Sequence, residues 1–422
     1  MIKITHFQDS GKPDPSQLLL AIDVSSRTLD IYGRYVQNGN EFELSESIPN
    51  NVRSIMHLLS EYSRQAMVLG YSGLAFVLEP SGRHEQKFTH MAYKNGYSVW
   101  QVNPERMYKA GVIHHGDDGK SDPQDGKVLH MMARMGKVYL YQPLNDYWQQ
   151  LRQLGWWLED SSLAATDARV RMGELRRNLF VDYHQSRDLT WGPTGICIQE
   201  LFGFDPWKIT AGGDTQFINR VKAHRRGIPE RCLRSIWDQA QSSCLYDPGK
   251  DMRALLNDQA EHLWKTWTHH AHRCEVLGRQ MIQLVEILSE EHRIPPIIPG
   301  FTELMRVKIL AETGPLERFA HWRQLVAYAG LKIRMRRSGK YIGKDRITKK
   351  GRVLLRKLLG QAAFSLTRKD RILGEYYHRK RQESMPGRKA KVACMRKLLK
   401  LLYGAAMSKQ AFTTERVYRS AS

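Results

Sequence analysis

An acidic residue interrupts the most apolar stretch of the sequence. The run LLLAIDV, residues 18–24, is typical of a buried strand, yet it carries Asp23 near its end. A buried carboxylate is costly unless it is paired or binds a metal ion. Asp23 therefore directs attention to other acids that could share a site with it.

Three further acids occur where a strand ends or a helix begins. Glu79 follows the apolar run LAFVL and precedes Pro-Ser-Gly, which turns the chain. In KSDPQDGKVLHMMARM, Asp122 and Asp125 are three residues apart at the start of a predicted helix, so they share one helix face. Four carboxylates in one pocket would repel one another without cations, and Mg²⁺ prefers oxygen ligands. The set Asp23, Glu79, Asp122 and Asp125 therefore predicts a site for one or two Mg²⁺ ions, which could activate an attacking oxygen at a phosphodiester and stabilise the leaving one.

Each of these acids also has a purely structural interpretation. Asp122 could be an N-cap, and Asp125 a first-turn acid favoured by the helix dipole. Glu79, before a proline, could be a turn residue. The apolar surroundings of Asp23 favour the metal site when all four acids are taken together.

The elements that would position these acids occupy residues 1–143. Three strand-like segments (LLLAIDVSS, LDIYGRYVQ and EFELSES) are followed by the helical NVRSIMHLLSEYSRQAM, the strand LAFVLEP, a helix over about residues 83–95 and the strand YSVWQVN. Three leading strands followed by alternating helices and strands are typical of a ribonuclease-H-like fold. We therefore predict an α/β, ribonuclease-H-like (RuvC-like) metal-binding domain over residues 1–143.

The remainder of the chain is predominantly helical. Apolar residues at mixed spacings of three and four predict a long helical or coiled-coil arm over residues 144–190. Gly, Pro and Trp punctuate residues 191–250, which form an insert or connector without an assigned role, and a second long helix is predicted within residues 251–294. The prolines of HRIPPIIPG end that helix and open a mainly α, basic C-terminal domain over residues 295–422.

The charge balance indicates a polyanionic partner. Lys and Arg number 65 against 43 Asp and Glu, which gives a formal net charge of +22 and a pI near 9.8. Nucleic acid is favoured over a membrane surface, because no amphipathic basic helix flanks an apolar span. The N-terminal sequence lacks the apolar core of a signal peptide and no long apolar run occurs, so we expect a soluble, intracellular protein without a membrane partner.

The densest basic run contains a candidate nucleophile, Ser338. Residues 332–357 hold twelve Lys or Arg and one acid. A serine hydroxyl needs a base or metal to take its proton and cations to stabilise a phosphoryl transition state. Cations are abundant here and a general base is absent, so the acidic metal centre could supply the activation if the two domains meet. The cations predicted to bind nucleic acid are Arg334, Arg336, Arg337, Lys340, Lys344, Arg346, Lys349, Lys350 and Arg352.

Two alternatives to this role of Ser338 remain open. Ser338 could be a turn serine before Gly339 in a phosphate-binding loop. Tyr341 is a rival nucleophile, although the spaced Arg-His-x-x-Arg set of a tyrosine recombinase does not occur in the sequence.

Two distant groups of motifs resemble one known family. AIDVS, EPSG, and VNPERMYKAG leading into KSDPQDGKVL are similar to the N-terminal motifs of the DEDD-type bacterial insertion-sequence transposases (insertion-sequence family one-ten). The Pro-Gly turn, LVAYAGL, the Ser-Gly element and ITKKG are similar to the C-terminal domain of the same family, in the same order. The resemblance covers roughly residues 18–183 and 295–412. The family often has two serines before the Gly, whereas this chain has Arg337-Ser338 and so offers one serine.

The resemblance implies a specific activity. The family includes bridge-RNA-guided recombinases and Piv-like DNA invertases, and in it the acids and the serine form a composite site from different protomers. By this resemblance, Ser338 attacks a phosphodiester of donor or target double-stranded DNA to form a covalent phosphoserine link, with Mg²⁺ at the acids. It further implies a guide (bridge) RNA, a homodimer or homotetramer, and a bacterial cytoplasmic protein associated with the nucleoid.

Two other functions are compatible with the residues alone. In a RuvC-like structure-selective endonuclease, the four acids would activate water and the C-terminal domain would only bind DNA. In a non-catalytic RNA- or DNA-binding protein, the acids would be incidental to the basic domain.

Overall fold

A computed structural model describes residues 11–80, 82, 84–104, 106–108, 110, 122–184, 191–334, 337–338, 341–342 and 346–408. For residues 122–124, 337–338 and 341–342 it describes the backbone alone. The chain divides into two compact units, of which the first combines Met1–Trp148 with Glu291–Ser422 and the second is Gln149–Glu290. The finer division of the sequence into five segments stays a prediction.

The N-terminal part of the first unit is built on a six-stranded sheet in the order β3-β2-β1-β4-β5-β6. The first three strands form an antiparallel meander, β4 and β5 add parallel to β1, and β6 closes the sheet antiparallel to β5. The strands are β1 (Gln17–Val24), β2 (Thr28–Gln37), β3 (Asn40–Pro49), β4 (Gly73–Leu78), β5 (Ser98–Val102) and β6 (Val138–Leu140). This is the ribonuclease-H-like strand order, and the predicted fold class is confirmed.

Helices cover both faces of the sheet, which explains why the five residues before Asp23 are all apolar and do not alternate with polar ones. Leu18, Leu20 and Ile22 pack under α1 (Val52–Val68) and α2 (Gln86–Lys94). On the opposite face, Leu19 and Ala21 pack under α3 (Asp122–Arg134). Since successive side chains of a strand point to opposite faces, β1 contributes to two separate cores.

The second unit contains most of two long antiparallel helices, α4 (Asp146–Leu179) and α9 (Lys250–Glu291). Met172 of α4 packs with Leu263 of α9, whereas nearer the start of α4 the Cys274 Sγ lies 3.8 Å from the Leu158 carbonyl oxygen. The contact partners run in opposite directions along the two helices, as in a helical hairpin. The prediction of long helical arms is confirmed.

Between these helices, residues 191–250 form a small helical bundle with a core of its own. Phe217 and Ile236 are buried in that core together with Phe180 from the end of α4. The helices are α5 (Pro193–Phe202), α6 (Pro206–Thr210), α7 (Gly213–His224) and α8 (Glu230–Ser243).

The C-terminal part of the first unit is mainly helical, as predicted. Its last helix carries a buried stripe, Ala390, Cys394, Leu398 and Leu402, at the four-residue spacing of one helix face. The elements are α10 (Glu303–Thr313), a 3-10 turn (Leu316–Arg318), α11 (Trp322–Tyr328), α12 (Val353–Leu366), α13 (Gly374–Gln382) and α14 (Gly387–Ser408). Across the described part of the chain, every helix is too short or too polar to span a membrane.

Candidate active site

Asp23 and Glu79 lie at the same edge and on the same face of the sheet. Strands β1 and β4 run parallel with Ala21 opposite Val77, and both of these side chains belong to the core under α3. Side chains alternate along a strand, so Asp23 projects from that same face, and Glu79, the first residue after β4, continues the same alternation. Neighbouring strands are about 4.8 Å apart, which places the two acids side by side. Both are half-buried.

Helix α3 brings Asp125 to this face. Val128, Leu129 and Met132 form its buried stripe against the sheet. Helical positions three and four residues apart share a face, so Asp125 extends this stripe toward the start of the helix. Asp125 is half-buried. Asp122 is the first residue of α3, and its side chain lies outside the described part of the structure.

A glycine sets the distance between α3 and the sheet. A Cβ added to Gly126 would lie 2.7 Å from the Cβ of Tyr32 on β2. Real Cβ atoms do not approach this closely, so a larger residue at 126 would move the helix that carries Asp125. Gly126 is not among the site residues predicted from the sequence, although a glycine inside a helical pattern can indicate close packing.

An acid outside the predicted set joins this face. The antiparallel register of β1 and β2 pairs Asp23 with Asp30. Asp30 is half-buried and lines a cavity of about 180 Å³ together with Tyr32, Ser47 and Gly126. The Thr28 hydroxyl donates a long hydrogen bond of 3.4 Å to its Oδ2. In TLDIYG, Asp30 and Tyr32 alternate with the apolar Leu29 and Ile31. This alternation could have indicated that Asp30 and Tyr32 project from one face of the sheet and the apolar residues from the other.

The donors at this face suit a hard cation. Asp23, Asp30, Glu79 and Asp125 supply the carboxylate oxygens that Mg²⁺ prefers. Within the side chains that the structure describes, no three His, Cys, Asp or Glu residues come close enough to hold a metal ion together. The four acids match Mg²⁺ in the type of donor atom and lie on one face of the sheet, but they do not form a close group of ligands. The Mg²⁺ site therefore stays a prediction.

A network of ion pairs and hydrogen bonds connects α3 to β3 at the edge of the sheet. The Glu43 carboxylate of β3 accepts hydrogen bonds from Lys127 of α3 at 2.8 Å, from the Tyr32 hydroxyl at 2.9 Å and from Arg34 at 2.8 Å. The bonds from Lys127 and Tyr32, more than that from Arg34, lower the pKa of Glu43 to about 2. The network helps to hold Asp125 over the sheet.

A buried histidine lies further along the same helix. His130 packs edge-on against Tyr32, with ring centroids 5.8 Å apart. Its Nε2 is buried and has no hydrogen-bond partner among the residues that the structure describes. Burial, reinforced by Arg134 and Arg34, lowers the pKa of His130 to about 4, so its imidazole is neutral at neutral pH. Sequence reasoning did not single out this residue.

In the C-terminal domain, the basic run folds back on itself. Strand β7 (Ile333–Arg334) pairs antiparallel with β10 (Arg346–Ile347). Between them, β8 (Arg337–Ser338) pairs with β9 (Tyr341–Ile342), and the register sets Ser338 opposite Tyr341. We call residues 333–347 the basic hairpin. The predicted nucleophile and its rival are thus backbone partners on adjacent strands; their side chains lie outside the described part of the structure.

A glycine contact, a backbone hydrogen bond and an ion pair lie at the base of the basic hairpin. Gly351, with φ +148°, packs so tightly that a Cβ there would lie 2.3 Å from the carbonyl oxygen of Tyr328. The next residue, Arg352, donates from its backbone N–H to that same carbonyl at 3.0 Å. Its guanidinium donates to both carboxylate oxygens of the buried Glu312, at 2.7 and 3.1 Å. Arg352, predicted to bind nucleic acid, therefore also has a structural partner.

The structure describes the side chains of some, but not all, of the other residues predicted to bind phosphate. Arg334, Arg346, Lys349 and Lys350 are exposed. Arg334 and Arg346 are register partners across β7 and β10. Like charges directly opposite one another destabilise a strand pair, and a bound phosphate would relieve that repulsion. For Arg337 only the backbone is described, and three predicted ligands lie outside the described residues: Arg336, Lys340 and Lys344.

The comparisons with known proteins concern both ends of the chain. Among solved structures, the RuvC structure of Thermus thermophilus matches with a TM-score of 0.22 and 15% sequence identity, covering 30% of this chain and 100% of that chain. The strand order, and not this likeness, assigns the N-terminal fold. No match to a curated protein was found. The model of the transposase family IS116/IS110/IS902 matches residues 297–378, which include the basic hairpin. Residues 297–378 are therefore similar to a transposase domain of the IS116/IS110/IS902 family, as the C-terminal motifs predict.

Proposed function

We propose that this protein is a transposase and site-specific DNA recombinase of a mobile element that cuts and joins strands through a covalent phosphoserine link at Ser338. The observation that carries the proposal is the placement of Asp23, Glu79 and Asp125 on one face of the sheet, at the ends of two parallel strands and the start of a helix. This arrangement offers oxygen ligands where a phosphodiester could approach.

The chemistry assigned to Ser338 is a phosphoryl transfer. Its Oγ attacks the phosphorus, an Oγ–P bond forms, and the bond from phosphorus to one deoxyribose oxygen breaks. The Oγ proton is lost to a base, and the released deoxyribose oxygen takes up a proton. Joining reverses the sequence, with a hydroxyl of the second strand attacking the phosphoserine. Mg²⁺ at the carboxylates would supply Lewis-acid stabilisation of the charge on the transferring phosphoryl group.

The basic hairpin supports the placement of this reaction. Arg334 and Arg346 are exposed and in register with each other, and in sequence their strands flank the β8–β9 pair that contains Ser338. Cations so placed would hold the phosphate and its developing charge. This positive field would stabilise the transition state, and the Oγ proton would pass to the carboxylate site, because the basic run itself contains no general base.

The partners belong to the same proposal. Donor and target DNA would bind a homodimer or homotetramer, in which the acids of one protomer act with Ser338 of another. A guide (bridge) RNA from the same element would select the DNA sites by base pairing. The formal net charge of +22 supports the binding of a large amount of nucleic acid.

A covalent adduct tests the nucleophile. The protein is incubated with labelled DNA that carries the ends of its element, with the co-purified RNA and Mg²⁺, and the products are resolved in SDS before and after proteinase treatment. We expect a protein–DNA adduct that is lost in Ser338→Ala and retained in Tyr341→Phe and in the control Ser384→Ala.

The other outcomes are equally informative. Cleavage without an adduct, unchanged in Ser338→Ala, would contradict the proposal and indicate attack by water. An adduct lost only in Tyr341→Phe would transfer the role to the tyrosine. Sequencing of the co-purified nucleic acid tests the guide, since a discrete RNA encoded beside the gene is expected.

A further inference from the structure

A second positively charged site lies outside the basic hairpin. Residues of helices α11, α13 and α14 line an open cavity of about 560 Å³, a size that suits a small ligand. Five cations and one acid line it together with two aromatic side chains. We call this the α14 cavity; its charged and aromatic residues are Trp322, Tyr376, Arg379, Lys380, Glu383, Arg396, Lys397 and Lys400.

The aromatic side chains are arranged beside the cations. The Lys400 Nζ lies 5.6 Å from the centre of the Trp322 ring. On the other side, the Tyr376 ring has the Lys397 and Lys380 Nζ atoms at 5.8 Å. A site of this kind presents flat apolar faces and positive charge to the same ligand.

The positive charge of the cavity is not balanced by the residues that line it. Glu383, its one acid, is paired with Lys380 at 2.6 Å. Within the described part of the chain, the Nε of Arg396 is buried and has no hydrogen-bond partner. Burial, with the neighbouring charges of Lys400 and Arg379, lowers the pKa of Lys397. An anion bound here would satisfy the guanidinium and relieve the repulsion between the cations.

We propose that the α14 cavity binds one nucleotide of single-stranded nucleic acid, with its phosphate at Arg396 and Lys400 and its base against Trp322. A base in a duplex is stacked and paired, so only an unpaired base can lie on an aromatic ring. A small inorganic anion would use the cations and leave the aromatic faces without a role. The inference rests on the proposed function in that it takes nucleic acid as the partner, and it adds a site that the basic run around Ser338 does not include.

The test is a binding measurement that does not require catalysis. Fluorescence anisotropy is recorded in EDTA with labelled 12-nucleotide oligo(dT), oligo(U) RNA and a short duplex without sequences from the element. The variant Arg396→Gln/Lys400→Gln is compared with Arg388→Gln/Lys389→Gln, which removes two exposed cations from the same helix outside the cavity.

We expect the cavity variant to bind the single strands about tenfold more weakly, and the control to lose about twofold or less. Loss of two phosphate contacts should lower the slope of log K against log salt by about 1.4 for single strands. The ratio between oligo(dT) and oligo(U) identifies which nucleic acid occupies the cavity. Equal losses in the two double variants, or an equal loss for the duplex, would overturn the proposal in favour of a solvated basic face.

The base contact has a test of its own. Wild-type protein is compared on oligo(dT) and on an oligomer with abasic sites, and the comparison is repeated in Trp322→Leu. Stacking of a base on an aromatic side chain contributes about 1–3 kcal/mol, so wild type should prefer oligo(dT) by at least about fivefold and the variant should not. If Trp322→Leu does not fold, the wild-type comparison alone decides, and equal affinity for both oligomers would contradict a bound base. Because adduct formation plays no part in these measurements, failure of this proposal and failure of the phosphoserine proposal are separable.

Discussion

Gly126 on α3 lies directly over Tyr32 on β2, so closely that a single added methyl group would come within 2.7 Å of the Tyr32 Cβ. The residue before this glycine is Asp125, one of the acids of the candidate site. The close contact between Gly126 and Tyr32 therefore determines the position of Asp125 relative to Asp23 and Glu79.

The first prediction concerns this contact. Gly126→Ala gains about 1 kcal/mol of helix propensity, but overpacking against Tyr32 costs about 1–3 kcal/mol. We expect a net loss of stability in urea denaturation and a larger loss of DNA cleavage, because α3 must move. The control is Gly360→Ala in α12, where no described residue has an atom within 4 Å of the added Cβ and a gain of up to about 1 kcal/mol is expected. Equal gains in the two variants would show that α3 does not require a glycine.

A second prediction tests metal binding apart from activity. If the carboxylates bind Mg²⁺ in the folded state, adding Mg²⁺ raises the melting temperature, by an amount that grows with the ratio of its concentration to Kd. We expect this shift in wild type and not in Asp23→Asn, measured by thermal denaturation at constant ionic strength. The exposed Asp258→Asn is the matched control and should behave as wild type. A Mg²⁺ shift that survives in Asp23→Asn would place the metal elsewhere.

The third prediction concerns Asp30, which faces Asp23 in the β1–β2 register. Replacement of Asp30 by Asn removes negative charge from the same face of the sheet without changing its shape. We expect Asp30→Asn to weaken Mg²⁺ binding by about tenfold, corresponding to about 1.4 kcal/mol, in a Mg²⁺ titration of the melting temperature. Unchanged affinity would assign Asp30 to the strand pair and not to the metal.

The fourth prediction is a pH dependence that arises from His130. Its pKa is about 4 in the folded protein and about 6.5 when unfolded, so the unfolded state binds more protons between these values. Stability should therefore be complete above pH 6.5 and fall as the pH decreases, by about 2 kcal/mol between pH 7 and pH 5 from this residue. His130→Phe keeps the ring against Tyr32 and removes the titration.

The measurement is urea denaturation of wild type and His130→Phe at pH 7 and pH 5. The difference in stability between the two proteins should shift by about 2 kcal/mol in favour of the variant at the lower pH. Carboxylates titrate equally in both proteins and cancel in this difference. A difference that does not change with pH would show that His130 gains a partner when protonated.

The fifth prediction concerns the ion pair at the base of the basic hairpin. Glu312 is 2% exposed and binds Arg352 through both carboxylate oxygens. Glu312→Gln leaves a largely buried guanidinium without its counter-charge, which costs about 3 kcal/mol. Asp370→Asn breaks the exposed pair with Arg371 in the same domain and should cost less than about 1 kcal/mol. The free energy of unfolding of both variants is measured by urea denaturation. Similar losses of stability in the two variants would mean that the buried ion pair stabilises the domain no more than the exposed one.

The sequence alone determined much of the candidate site. Asp23 and Glu79 stand at the ends of apolar runs, and a run of this kind predicts a buried strand without knowledge of its neighbours. The order of strands and helices then indicated a ribonuclease-H-like sheet, in which β1 and β4 are adjacent. The twelve cations around Ser338 were likewise visible as a local excess of charge.

Other features depended on the tertiary structure. Asp30 joins Asp23 through the register of two strands, and Gly126 matters because of what lies opposite it. The α14 cavity draws Trp322, Tyr376 and Lys400 from three helices that are far apart in the sequence. Periodicity and charge density are properties of neighbouring residues and can be read along the chain, whereas register and packing arise only when distant segments meet.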